Sequence, residues 1–203
     1  SMAFEQTNNQ SSTVAELKSR FSNSISGNAV IGFTVVNDRR DPLSDPTLPQ
    51  VQIQGRTPGT TIYIGTDREA SLFDMQQKTW EVTANLNWNI GRHKLLFGTH
   101  NELYNIRYGF VNGWNGRVDY NSIDDFISNN PYRVRGSYNY MNNTRDYILD
   151  NPAADFNVNM YSLYVQDEIR VSDRFRVTPG LRADFAHLPA MPTLSDKVKD
   201  VWA

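Results

Sequence analysis

The side chains with the most chemical reach in this chain are its histidines, an aspartate-rich segment and a middle rich in arginine and tyrosine. The imidazoles are His93, His100 and His187. His93 and His100 differ in parity, so on one straight strand they face opposite sides, which argues against a shared metal. Asp38, Asp41 and Asp45 offer oxygen donors to calcium. Their spacing lacks the EF-hand pattern and its bidentate Glu, so a solvated loop is the simpler reading. Cysteine is absent, which excludes thiolate metal sites and a disulfide framework. No Gly-x-Ser-x-Gly elbow, phosphate loop or paired-His zinc motif occurs, and nucleophilic or metal catalysis has no support. The expectation is a protein without catalytic residues, metal or cofactor, and not an enzyme.

Binding is the chemistry that remains. Trp114, Arg117, Tyr132, Arg133, Arg135 and Tyr138 are the candidates for ligand contact, because amphipathic rings and guanidinium groups are favoured at binding surfaces. Packing of the loop on itself is the competing explanation. A second charged set, Glu168, Arg170, Arg174, Arg176, Arg182 and Asp184, lies along one face of the last hairpin and reads as cross-strand ion pairing. The formal net charge of −2 gives no basic field for nucleic acid.

These groups are carried by strands. Residues 161–185 hold two runs of strict alternation around Ser172-Asp173. Tyr161, Leu163, Val165, Ile169 and Val171 share one face, with Asp167 the polar intruder; after the turn, Phe175, Val177, Leu181 and Phe185 continue the apolar row. A period of two is the signature of a β-strand, and two such runs around a tight polar turn predict a hairpin. Residues 80–90 alternate as cleanly, with Trp80, Val82, Ala84, Leu86, Trp88 and Ile90 on one side, and Gly91-Arg92 turns the chain back. A third hairpin is expected near 14–36. Residues 4–13 are polar and expected to be poorly ordered unless paired, and 67–77 suit a helical turn. Long loops are expected over 37–79 and 105–157. The first holds short strands over 51–54 and 60–64 around the turn Arg56-Thr57-Pro58-Gly59, the second one short helix over 122–128 with Ser122 as N-cap.

The mean hydropathy of −0.56 does not exclude a membrane, because barrel strands alternate and give a weak hydropathy signal. Three features favour a barrel over a soluble sheet. The run at 80–90 matches the ~9–11 residues a tilted strand needs to cross a bilayer. Short turns on one side oppose long connections on the other, and Trp80, Tyr104 and Tyr161 fall where barrels carry aromatic girdles. The alternative is a soluble β-sandwich that binds glycan or protein through its aromatic loops.

Two motifs then add a resemblance. Leu163-Tyr164-Val165-Gln166-Asp167-Glu168, followed by Pro179-Gly180-Leu181-Arg182-Ala183-Asp184, resembles the β-barrel of TonB-dependent outer-membrane receptors, in which a Tyr-x-Gln-Asp-Glu strand pairs with one ending Gly-x-Arg-x-Asp. The run from Trp88 through Gly91-Arg92 to His100 is similar to barrel hairpins of the large Bacteroidetes-type receptors, including the Oar-like group. The segment Tyr120-Asn121-Ser122-Ile123-Asp124-Asp125-Phe126 resembles one of their extracellular loops.

The resemblance covers about half the chain, from 80 to 185. It implies an all-β fold of antiparallel hairpins, an internal slice of about six strands from a barrel of about 22. It also implies the outer membrane of a Gram-negative bacterium, lipid around the apolar rows, TonB and a plug domain as partners lying outside this chain, and uptake of a scarce nutrient such as a siderophore, glycan or peptide. Ser1-Met2-Ala3 reads as an expression scar before a partial barrel over 4–203, and 196–203 suggests no closing strand.

Overall fold

The computed structural model describes residues 2–139, 141–152 and 154–189. Ser1 of the expected scar, and the segment from 190 onward that is expected to lack a closing strand, lie outside the described residues. Five long strands of 17 or 18 residues dominate: β1 (Phe4–Arg20), β2 (Ile25–Pro42), β5 (Phe73–Ile90), β6 (His93–Phe110) and β9 (Ala154–Arg170). They pair in the order β1-β2-β5-β6-β9, and β9 also takes β10 (Arg176–Val177) and β11 (Gly180–His187) on its far side. Among the described residues that makes six strand positions, as the alternating runs predict. Pro179, which has no N–H to give a ladder, sits where the last position breaks into β10 and β11.

The strands outrun the sequence expectation. The polar run 4–13 is ordered because it is paired, forming the first half of β1 against β2, and 37–42 continues β2 instead of opening a loop. Residues 67–71 hold the expected helical turn, a single one in which the Ser71 N–H donates to the Asp67 carbonyl at 3.0 Å, and the chain then enters β5 at Phe73. Likewise 105–110 belongs to β6 and 154–157 to β9. Side-chain periodicity reports apolar faces only, whereas the ladder is made by backbone groups that polar residues supply equally well. Cross-strand polar pairs line these halves: Gln6 Nε2 donates to Asp38 Oδ1 at 3.2 Å, and the Ser12 and Thr34 hydroxyls lie 3.0 Å apart. The aspartates expected in one loop are therefore split, Asp38 and Asp41 lying in β2 and Asp45 beyond it.

The chain forms two compact units. One comprises 12–34, 78–106 and 156–203. Its described strands leave an apolar row uncovered: Ile31, Trp80, Leu86, Trp88, Phe97, Tyr161, Leu163, Val165 and Leu181 are all exposed, Leu163 at 62% and Leu181 at 74%. The opposite face is knit by polar groups. The Ser162 hydroxyl donates to the His100 carbonyl at 2.7 Å, and the Tyr164 hydroxyl to Asn85 Oδ1 at 2.6 Å. The Tyr164 ring lies over Gly98, where a β-carbon would overlap it. Trp80 and Tyr161 sit on the exposed row, but the lengthened strands put them in the middle of β5 and β9 rather than at the strand ends expected of a girdle. Tyr104 is off the row. Its hydroxyl donates to Glu102 Oε2 at 2.8 Å, two residues away on the same face, which by parity is the polar one.

The other unit comprises 1–11, 35–77 and 107–155, and it holds a separate four-stranded sheet in the order β4-β3-β7-β8. Its strands are β3 (Gln50–Gln54), β4 (Thr61–Gly65), β7 (Arg117–Tyr120) and β8 (Arg133–Arg135). β3 and β4 are the short strands expected over 51–54 and 60–64, whereas β7 and β8 fall in the stretch expected to be loop. β3 pairs antiparallel with β4 and parallel with β7. Gly65 closes β4 at φ +88, and a β-carbon there would collide with the Pro49 carbonyl, so this corner requires glycine.

The core of this unit is Ile53, Ala70, Leu72, Phe73, Tyr120 and Ile148. α1 (Ile123–Ile127) covers Tyr120 through an edge-on Phe126 ring 5.3 Å away, and its N-cap is Ser122, as expected, accepting from the Asp125 N–H at 3.0 Å. A second short helix, α2 (Arg145–Asp150), corrects the expectation of a single one. It starts at Thr144 without a side-chain cap and is held by the burial of Ile148, a tertiary cause with no local signal.

Candidate ligand-binding site

Registry in the small sheet creates a polar face. Gln52 of β3 pairs with Asp119 of β7, and Asp119 with Arg133 of β8; one row along, Gln50 pairs with Arg117, and Arg117 with Arg135. Because side chains alternate, these six project from one side, while Val51, Val118 and Val134 project from the other. Sequence reading alone supplies the alternation in QVQIQ, RVDY and RVR; it does not supply which strands are neighbours.

Asp119 organises this face. It is 1% exposed, and three guanidinium groups converge on it. Arg117 Nε donates to Oδ1 at 2.7 Å, Arg133 Nε to Oδ2 at 2.8 Å, and Arg135 Nη2 to Oδ2 at 3.5 Å. Arg117 gives a further N–H to Gln52 Oε1, so its fork is pinned on two sides. Burial by itself would raise the Asp119 pKa. The hydrogen bonds and charges of Arg117 and Arg133 outweigh it and hold the carboxyl below its usual range. A carboxylate removed from water is tolerable only with such compensation.

Beside this cluster lies an open depression of about 470 Å³, lined by Arg68, Asn112, Gly113, Arg117, Arg135 and Ser137 among others. Arg68 is held at the rim by its neighbour Glu69, Nη2 to Oε1 at 3.4 Å. Gln50, 5% exposed, supports the wall by accepting from the Arg68 backbone N–H at 3.1 Å. Asn115 ties the adjoining loops together by donating to the Leu48 and Thr66 carbonyls at 2.8 and 3.0 Å. Chemically the depression is a recess walled by forked cation donors, and guanidinium forks take oxyanions two bonds at a time.

A family model described as an outer membrane beta barrel domain matches residues 2–193. The chain belongs to this outer-membrane barrel family. It follows that the protein resides in the outer membrane of a Gram-negative bacterium. No curated protein and no solved structure matches the chain. Membership also replaces the soluble-sandwich alternative: the exposed apolar rows of the barrel strands are what such a barrel presents to its surroundings, not halves of a sandwich core.

Of the residues singled out from the sequence, the barrel's small sheet brings together Arg117, Arg133 and Arg135. Tyr132 joins at the margin, its ring under the Arg133 guanidinium at 5.4 Å and its N–H donating to the Asp119 carbonyl at 3.1 Å. Trp114 does not belong to the cluster; its indole N–H is given to Asn143, 3.2 Å from the carbonyl and 3.1 Å from Oδ1, and it clamps a loop. Tyr138 is 75% exposed and makes no ring contact among the described residues. Sequence reading missed Asp119, Gln52 and Arg68, although the two-residue spacing of Arg117 with Asp119 already places them on one face.

Proposed function

We propose that this barrel is part of a TonB-dependent outer-membrane receptor that takes up a scarce nutrient, a siderophore, glycan or peptide, and binds it without converting it. The observation that carries this reading is the register of the last hairpin. β11 lies antiparallel on β9 with Gly180 opposite Gln166, Arg182 opposite Tyr164 and Asp184 opposite Ser162. The two motifs that resemble the receptor barrel are partners in one ladder, as the resemblance implies, and this supports the reading. Folded rather than loose connections, with an arginine-walled recess, further suit a barrel whose loops select a ligand. In this reading lipid covers the apolar row, and a plug domain and TonB act with the barrel.

The test is uptake by the source bacterium. Deleting the gene is expected to abolish uptake of labelled ferric siderophore, oligosaccharide or oligopeptide, and collapsing the proton-motive force in the parent strain is expected to do the same. Unchanged uptake of all three classes after deletion, or a lost uptake that never needed energy, would overturn the proposal.

A further inference from the structure

We infer that the recess walled by Arg68, Arg117 and Arg135 binds a small polyanion, a ligand that carries several carboxylate or phosphate oxygens. The inference deepens the uptake reading and rests on it for the ligand's fate, though binding itself is measured without transport. The first argument is charge. Arg68, Arg117, Arg133 and Arg135 face only Asp119 and Glu69 as contacting carboxylates among the described residues, which leaves two positive charges uncompensated within one small sheet and its rim. Like charges gathered on one carboxylate repel, and a second anion relieves that repulsion.

The second argument is spare hydrogen-bonding capacity. A guanidinium has five N–H donors. Arg135, 46% exposed at its side chain, has one 3.5 Å contact, to Asp119, among the described residues. Arg68, 37% exposed, has one at 3.4 Å, to Glu69. Both line the recess, whereas Arg117 between them is fixed by Asp119 and Gln52. The arrangement is one anchored guanidinium flanked by two that keep most of their donors. A neutral sugar or apolar group would leave those donors unpaired, while a multiply charged oxyanion pairs them in forks.

The experiment is titration calorimetry of the full chain in detergent micelles with citrate as the carboxylate probe, inorganic pyrophosphate as the phosphate probe and raffinose as a neutral control. Saturable binding of citrate or pyrophosphate, and none of raffinose, is expected; the stronger of the two identifies the source of the oxyanion. Arg135→Gln and Arg68→Gln are each expected to weaken that binding about tenfold, the loss of one charge-assisted fork. Arg68→Gln leaves every Asp119 contact in place, so its effect is not one of misfolding. Absence of binding at millimolar citrate and pyrophosphate, or equal binding by parent and both variants, overturns the inference. Polyanion binding in a protein whose deletion changes no uptake sinks the transport reading and leaves this site standing; energised uptake of a neutral glycan with no polyanion binding does the reverse.

Discussion

His93 Nδ1 lies 2.7 Å from Asp167 Oδ2, which joins the turn end of β6 to the one acidic residue on the apolar row of β9. Asp167 falls three residues before β9 ends at Arg170, and its backbone N–H donates to the Pro179 carbonyl at 3.0 Å. The second carboxylate oxygen has no hydrogen-bond partner among the described residues. The pair explains how an aspartate is tolerated on a row of Leu163, Val165 and Ile169. His93→Ala is expected to leave that carboxylate without its partner and to lower assembly, since a stranded charged group costs ~1–3 kcal/mol or more. Asp167→Val should restore assembly in the His93→Ala background. The readout is the fraction of heat-modifiable, folded barrel in outer-membrane preparations; no recovery in the double variant contradicts the pairing.

The orientation of β9 predicts an asymmetry between neighbours. Leu163 projects from the exposed apolar row and Gln166 from the other face. Leu163→Arg is expected to cost ~2–4 kcal/mol of assembly, the penalty for arginine in mid-bilayer on a lipid face, and Gln166→Arg much less. Folding into vesicles measured against urea checks this, and equal tolerance of the two changes would mean the faces are inverted.

Gly98 and Tyr164 predict a coupled pair. The Tyr164 ring occupies the space a residue-98 side chain would need, so Gly98→Ala should destabilise the barrel by ~1–3 kcal/mol through overpacking. In the Tyr164→Ala background the same change should be nearly silent, at the separate loss of the hydroxyl bond to Asn85. A double-mutant cycle in urea reads the coupling directly.

Asp119 makes the stability of the small sheet depend on acid. Its folded pKa lies below the ordinary 3.8, so the carboxylate contributes stability that is complete well above pH 3.8 and is lost as pH falls through the lowered value. Asp119→Asn should abolish that acid-dependent loss, and Asp119→Ala should cost ~3–5 kcal/mol by leaving three guanidinium groups without their shared anion. Amide exchange across 50–54 and 117–135, followed from neutral to acid pH, is the measurement. An Asp119→Asn protein with the parent's pH profile would show that the carboxylate is not the titrating group.

Some of this was legible in residue order because the physics is local. Period-two alternation at 80–90 and 161–171 defines the two faces of a strand whatever it pairs with, and Gly91-Arg92 and Ser172-Asp173 announce their turns. The Ser122 cap is set by a side chain three residues from the N–H it serves. Arg117, Arg133 and Arg135 stood out by type.

Residue order therefore settles which side chains share a strand face and where hairpins turn. Which faces meet is settled only by folding in three dimensions. The parallel pairing of β3 with β7 brings Gln52 to Arg117 across 65 positions, and no spacing rule reaches that far. The polar halves of β1 and β2 are strands because a neighbour completes their backbone ladders, not because their side chains ask for it. Asp119 became the centre of the candidate site for the same reason. A buried carboxylate needs charges and hydrogen bonds to replace its lost hydration, and here that compensation is the convergence of Arg117, Arg133 and Arg135, a property of three strands in register.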